Sequence, residues 1–198
     1  MGIYGYIRFL TLTIDAITVY RSIIMTIAII GVLFTAILCL TAGMDIKKII
    51  AYSSISHMNL AILALFSDYG LEISVYFMIS HGILSSGLFL LVGILYDRYH
   101  TRIISYYSGL VLLLPLYSIF FLLFTLGNIA FPGTSGFLSE ILTFAIIIIN
   151  NPYIGILASF AIILTPSYAL YILHLMLYGN WSSHLIGTSD LSKLEFHL

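Results

Sequence analysis

Glu140 is the residue around which this sequence is arranged. It lies just past PGTSG at 132–136, within PLYSIFFLLFTLGNIAFPGTSGFLSEILTFAIIIIN at 115–150, two apolar runs that helical periodicity would make membrane-length. A carboxylate near the centre of a hydrocarbon core costs about 2.5–3.5 kcal/mol on insertion scales. It persists there only with a partner, a water-filled cavity or a proton. Two histidines are placed in a similar way. His57 comes early in the apolar run 52–67, with Ser53 and Ser54 one turn back on its face, and His81 lies in the middle of 71–96, sharing a face with Ser74 and Ser85. An imidazole with an ordinary pKa of about 6.5 takes and gives a proton near neutrality. Glu140, His81 and His57 are therefore candidate proton-transfer groups. Each also has a structural reading: the histidines as polar glue between helices, the glutamate as a hydrogen-bonded carboxylate in a kinked core helix.

The break beside Glu140 has its own chemistry. Pro132 lacks an amide donor and clashes with the preceding turn, and Gly133 and Gly136 add backbone freedom, so the helix is expected to unwind at 132–136. Unwound backbone at membrane depth is tolerated only where protein or water covers it, and discontinuous helices of this kind mark ion sites in transporters. Glu140 then sits in a half-helix near its positive end, which favours the ionised form, while dehydration favours the protonated one.

The elements that must hold these groups follow from composition. The chain has 198 residues, 61% hydrophobic and 8% charged, with a mean hydropathy of +1.13. Soluble domains average about a quarter charged residues, so this is an integral membrane protein, and apolar runs of span length make it all-α. With roughly 20 apolar residues needed per crossing, spans are expected at 22–42, 52–67, 71–96, 109–149 (broken) and 154–178, about five crossings including one discontinuous helix. Residues 1–13 read as the end of a preceding helix, and 179–198 as an interfacial or extramembrane tail. The loops at 43–50 and 97–102 carry Lys47, Lys48, Arg98 and Arg102, whereas 68–72 holds only Asp68 and Glu72. The positive-inside rule puts the two basic loops and the tail on the matrix or cytoplasmic side, with Arg21 the exception.

Several function classes are excluded. The net charge of −1 offers no basic face for nucleic acid, and Cys39, alone in an apolar run, reads as a small buried residue and leaves neither a disulfide framework nor a thiolate ligand set. HExxH, a GxGxxG following a strand, a P-loop and a nucleophile elbow are all missing, so no cofactor or nucleotide is expected on this chain. Lys47, Lys48 and Lys193 all fall outside the spans, which leaves a proton path built from Glu140, His57 and His81 without a lysine. The start, MGIYGYIRFLTLTIDA, shows no cleavable signal, and the heavy use of Ile, Tyr, Phe, Leu and Asn suits an AT-rich, organelle-type genome.

Three segments carry a resemblance: DIKKIIAYSSISHMN at 45–59, SHGILSSGLFLLVGILYDRYHTR at 80–102 and NIAFPGTSGFLSEILTF at 128–144. In this order they resemble the subunit 4 family of mitochondrial NADH:ubiquinone oxidoreductase (respiratory complex I), antiporter-like subunits related to cation/proton antiporters. The resemblance implies a proton-translocating membrane-arm subunit in the mitochondrial inner membrane. Glu140 matches the terminal carboxylate on the second broken helix, His81 a histidine of the central hydrophilic axis, and His57 the histidine of the SISHM run. It also implies that FMN, iron–sulfur clusters and ubiquinone are bound elsewhere in the complex. Adjacent antiporter-like subunits and membrane lipid are the implied partners. The match covers the family's ninth to thirteenth spans, so the expectation is half of an antiporter-like subunit, with a separate chain supplying the N-terminal half. A cation/proton antiporter component and a non-transporting scaffold remnant are the alternatives.

Overall fold

The computed structural model describes residues 2–10, 14–180, 185, 189–193 and 195. The rest of the expected tail, at 181–184, 186–188, 194 and 196–198, lies outside the described residues, as do residues 1 and 11–13 of the expected opening segment. Among the described residues the elements are helices, in the order α1 (Gly2–Leu10), α2 (Ile14–Thr41), α3 (Ile46–Leu65), α4 (Gly70–Tyr99), a 3-10 turn at Ile104–Tyr106, α5 (Leu110–Leu113), α6 (Pro115–Asn128), α7 (Ser135–Asn150) and α8 (Pro152–Leu177). Four of them, α2, α3, α4 and α8, contain stretches long and apolar enough to cross a membrane. At about 1.5 Å per residue, α6 and α7 are each too short for a hydrocarbon core of about 30 Å. End to end they make the one discontinuous crossing.

Sequence sets the boundaries of these helices. Asp45 caps α3, its carboxylate accepting from the amides of Lys47 and Lys48 at 3.2 and 3.4 Å, so this helix begins at Ile46, before the span expected at 52–67. Asn151 caps α8 and Pro152 occupies its first position, where a missing amide costs nothing. Pro166 interrupts α8 from within, which removes the amide that would bond the carbonyl of Ile162. The hydroxyl of Thr165 donates to Ala161 O at 2.8 Å and lies 3.3 Å from the freed Ile162 carbonyl, which keeps a polar group beside the gap.

The bundle has two ends. At one, Ile46 N donates to Arg102 O and Ile104 N to Met44 O, tying the two basic loops together. Arg98 there donates to Glu195 and to the carbonyls of Ser189 and Asp190. The Asp190 carboxylate in turn accepts from Leu116 N at 2.8 Å and Tyr117 N at 3.3 Å, capping α6 from the tail. At the other end Arg21 donates to Asp68 at 2.7 Å and to Asn150 at 2.9 Å, joining α2, the α3–α4 turn and the end of α7. The one basic residue at odds with the charge rule is thus neutralised by an acidic neighbour.

Between the ends, α3 packs against α2, α4 and α7, and α8 closes the bundle against α2 and α7. Met25, Ala28, Ile29, Val32 and Ala36 make the buried stripe of α2. Ile23, Ile27, Ile30, Phe34 and Ile37 leave its other face exposed and apolar. Buried side chains form two apolar clusters. One contains Ile46, Ile49, Leu88, Phe121 and Ile172 toward the basic end, and the other Met25, Leu60, Phe77, Ile147 and Ala158 toward the opposite end. His57 falls between Ile50 and Leu60 on α3, and His81 between Phe77 and Leu88 on α4. The gap between the clusters is a polar layer.

Candidate functional site

The break between α6 and α7 is compact. Ala130 adopts the left-handed region (φ 59°), Ala130 N donates to Gly127 O at 3.1 Å and Phe131 N to Leu126 O at 3.0 Å. This is a Schellman C-cap, with Pro132 next in sequence to prevent continuation. Gly133 takes φ +96°, and Thr134 restarts the helix, its hydroxyl accepting from Phe137 N at 3.4 Å. The break therefore runs from Ile129 to Thr134 and satisfies its backbone largely within itself. Gly136 is part of α7, where its value is clearance: a Cβ built there would lie 2.2 Å from Gly127 O. The end of α6 and the start of α7 overlap at that point.

This geometry sets the height of Glu140. One Glu140 carboxylate oxygen, Oε1, lies 3.2 Å from His57 Nδ1, and the two side chains are only 11% and 4% exposed. The rings of His57 and His81 face one another with centroids 5.1 Å apart and planes tilted by 34°. α3, α4 and α7 thus bring all three predicted groups together, but in the order Glu140–His57–His81, with His57 rather than His81 as the immediate partner of the carboxylate. His57 Nε2 is buried without a hydrogen-bond partner among the described residues. Charges on both imidazoles would repel by about 3 kcal/mol at an effective dielectric constant of about 20. A cavity of about 10 Å³ opens among the three groups, close to the room one water needs.

The surrounding polar groups are partly those expected. Ser53, Ser74 and Ser85 donate back to carbonyls of their own helices, to Ile50, Leu71 and Gly82, rather than to the histidines. Ser80, one residue before His81, donates to Ser135 Oγ at 3.1 Å and pins α4 to the start of α7. Asn128, Ser139 and Thr143 also border Glu140 or its cavity. Sequence reasoning gave these no role. Asn128 stands directly before the break, and a polar residue ending an apolar run was its only signal. Among the described residues, no group of three His, Cys, Asp or Glu side chains is arranged to hold a metal ion.

The fold and the sequence both have counterparts among known proteins. Residues 1–165 match the family described as NADH:quinone oxidoreductase/Mrp antiporter, TM. The chain belongs to this family. Relatives named NADH-ubiquinone oxidoreductase chain 4 include that of Acanthamoeba castellanii, 40% identical over 99% of this chain and 40% of the relative. The protein of that name from Dictyostelium citrinum is 44% identical over 91% of this chain and 44% of the relative. The chain thus spans less than half the length of these relatives. Among solved structures, a chain of respiratory complex I from Thermus thermophilus with bound NADH aligns with 99% of this chain and 42% of its own length, at 29% identity and a TM-score of 0.91. The fold is thus shared over nearly the whole of this chain.

Proposed function

We propose that this family member forms part of a proton-translocating channel in the membrane arm of an NADH:ubiquinone oxidoreductase of the mitochondrial inner membrane. The observation that carries the reading is the contact of Glu140 with His57, and of His57 with His81, in one buried layer. The names of the relatives support the choice of complex. In this reading Glu140 accepts a proton as carboxylate and yields it as carboxylic acid. His57 holds the other end of the exchange through Nδ1, and His81 extends the exchange across α4. Membrane segments outside this sequence supply the rest of the channel, and neighbouring membrane-arm subunits and lipid cover the exposed apolar stripe of α2. Flavin, iron–sulfur and quinone chemistry belongs to other polypeptides of the complex, whose free energy reaches this layer by changing the charge or hydration beside it. The basic loops at 43–50 and 97–102 face the matrix.

The test is Glu140→Gln, which keeps size and hydrogen bonding but cannot ionise. The expected outcome is a complex that assembles normally while proton pumping coupled to NADH oxidation falls. Unchanged pumping in an assembled variant would sink the proposal.

A further inference from the structure

Glu140 borders an open groove of about 270 Å³ between α7 and α8, whose side chains are apolar apart from Ser159 and Glu140 itself and so offer a chain of waters few partners. Along the bundle axis the polar layer is open in one direction. Toward the end that carries Arg21 and Asp68, Glu140 meets Leu60, Phe77, Thr143, Phe144 and Ile147 with no room between them for a water. Toward the basic end there is a second cavity with about 30 Å³ of room for water centres, where one water needs about 10–15 Å³. Asn128 lines this cavity and also the one among His57, His81 and Glu140, and is the residue common to both. The other polar groups on the second cavity are Ser53, Thr125 and Tyr168. The hydroxyls of Ser53 and Thr125 donate to Ile50 O and Phe121 O, each at 2.8 Å, which leaves their oxygens free to accept. The Tyr168 hydroxyl is buried beside Cys39 and Ser53 but makes no hydrogen bond of good geometry among the described residues. A buried hydroxyl without a partner costs about 1–3 kcal/mol, and a bridging water removes that cost. Ile46, Ile49, Leu88 and Phe121 form apolar walls that would keep such waters in file.

We propose that Asn128 and Tyr168 are positioning residues that hold a short water file joining the His57–Glu140 pair to the basic face of the protein. The file is a conduit: each water accepts a proton from one neighbour and passes one to the next, so neither side chain changes charge. Asn128 orients the water at the junction with two donors and one acceptor, and Tyr168 anchors the file one helix away on α8.

This inference rests on the channel reading above, and its test separates the two. In the native membrane complex, Asn128→Leu, Asn128→Ser, Tyr168→Phe and Glu140→Gln are compared for protons pumped per NADH and for the ratio of rates in H2O and D2O. The expected result is that Asn128→Leu and Tyr168→Phe slow coupled turnover severalfold and enlarge the isotope ratio, while Asn128→Ser, which leaves a polar group and space for another water, stays near the unsubstituted protein. If both apolar variants pump normally while Glu140→Gln is impaired, the water file is wrong and the channel reading stands. If Glu140→Gln also pumps normally, both fail. Equal losses in Asn128→Leu and Asn128→Ser with an unchanged isotope ratio would mark a purely structural role and overturn the proposal. Should Asn128→Leu not assemble, Tyr168→Phe decides.

Discussion

Gly136 shows how much of the site depends on what a side chain lacks. Any Cβ there meets Gly127 O at 2.2 Å, a backbone atom that cannot swing away, so Gly136→Ala must push α7 off the end of α6. Overpacking of this kind costs about 1–3 kcal/mol, and the displacement acts on the helix that carries Glu140. The expected outcome is a lower unfolding temperature of the purified complex together with weaker proton pumping; a variant as stable and as active as the parent would contradict the overlap. The sequence made Gly136 visible as part of a break. It did not show that the break ends two residues earlier, because an N-cap by Thr134 and a close backbone approach are indistinguishable from flexibility in a run such as PGTSG. Glu140, His57 and His81 were legible for a simple reason, each being a titratable group in an apolar run. Their mutual contact was not, since spacing within one helix fixes a face but does not say which faces meet. That is why the order of the three groups, with His57 in the middle, emerged only from the fold.

Among the elements, α6 has the least local support and the most help from a distance. It starts at Pro115 with no side-chain cap from its own flank, and the carboxylate of Asp190 serves that role from the tail. Arg98 at the end of α4 holds that tail in place. Asp190→Ala is expected to cost about 1 kcal/mol through the lost cap, read as faster amide exchange at Leu116 and Tyr117 and not at α8. The Arg98–Glu195 contact has a pH signature. The Arg98 guanidinium holds the Glu195 carboxyl down at about 2, from an ordinary 4.5. A carboxylate with a lowered pKa stabilises the folded arrangement above its ordinary value and loses that contribution as pH falls toward the lowered one. Protection of residues 189–195 from proteolysis should therefore stay constant through neutral pH and decline only between 4.5 and about 2. A decline near neutrality would mean that another group holds the tail. Nothing in the spacing of the sequence pairs position 98 with 195. Such contacts join residues almost a hundred positions apart, beyond the reach of periodicity.

For the molecule as a whole, the two ends are chemically distinct, and their placement is testable. With Cys39 buried, Lys47→Cys and Glu72→Cys, both at exposed positions, should react with a membrane-impermeant thiol reagent from opposite sides of sealed vesicles, Lys47→Cys from the matrix side. Labelling of both from one side would refute the two-ended topology. Composition and the length of the apolar runs together read the architecture correctly as helical and membranous, because so few charges suit a membrane and runs of about 20 residues suit helices that cross it. The division of the interior into two apolar clusters was hidden, since it depends on which helices neighbour one another. That division has an electrical consequence. His57 and Glu140 exchange across 3.2 Å, about a tenth of a hydrocarbon core about 30 Å thick. Carrying a unit charge through the full potential costs about 2.3 kcal/mol per 100 mV, so this step costs at most about 0.25 kcal/mol per 100 mV, whatever its direction. Exchange inside the polar layer is nearly blind to the membrane voltage. The voltage acts on the stretches that connect the layer to the two faces, and there the work of moving charge against the field is done.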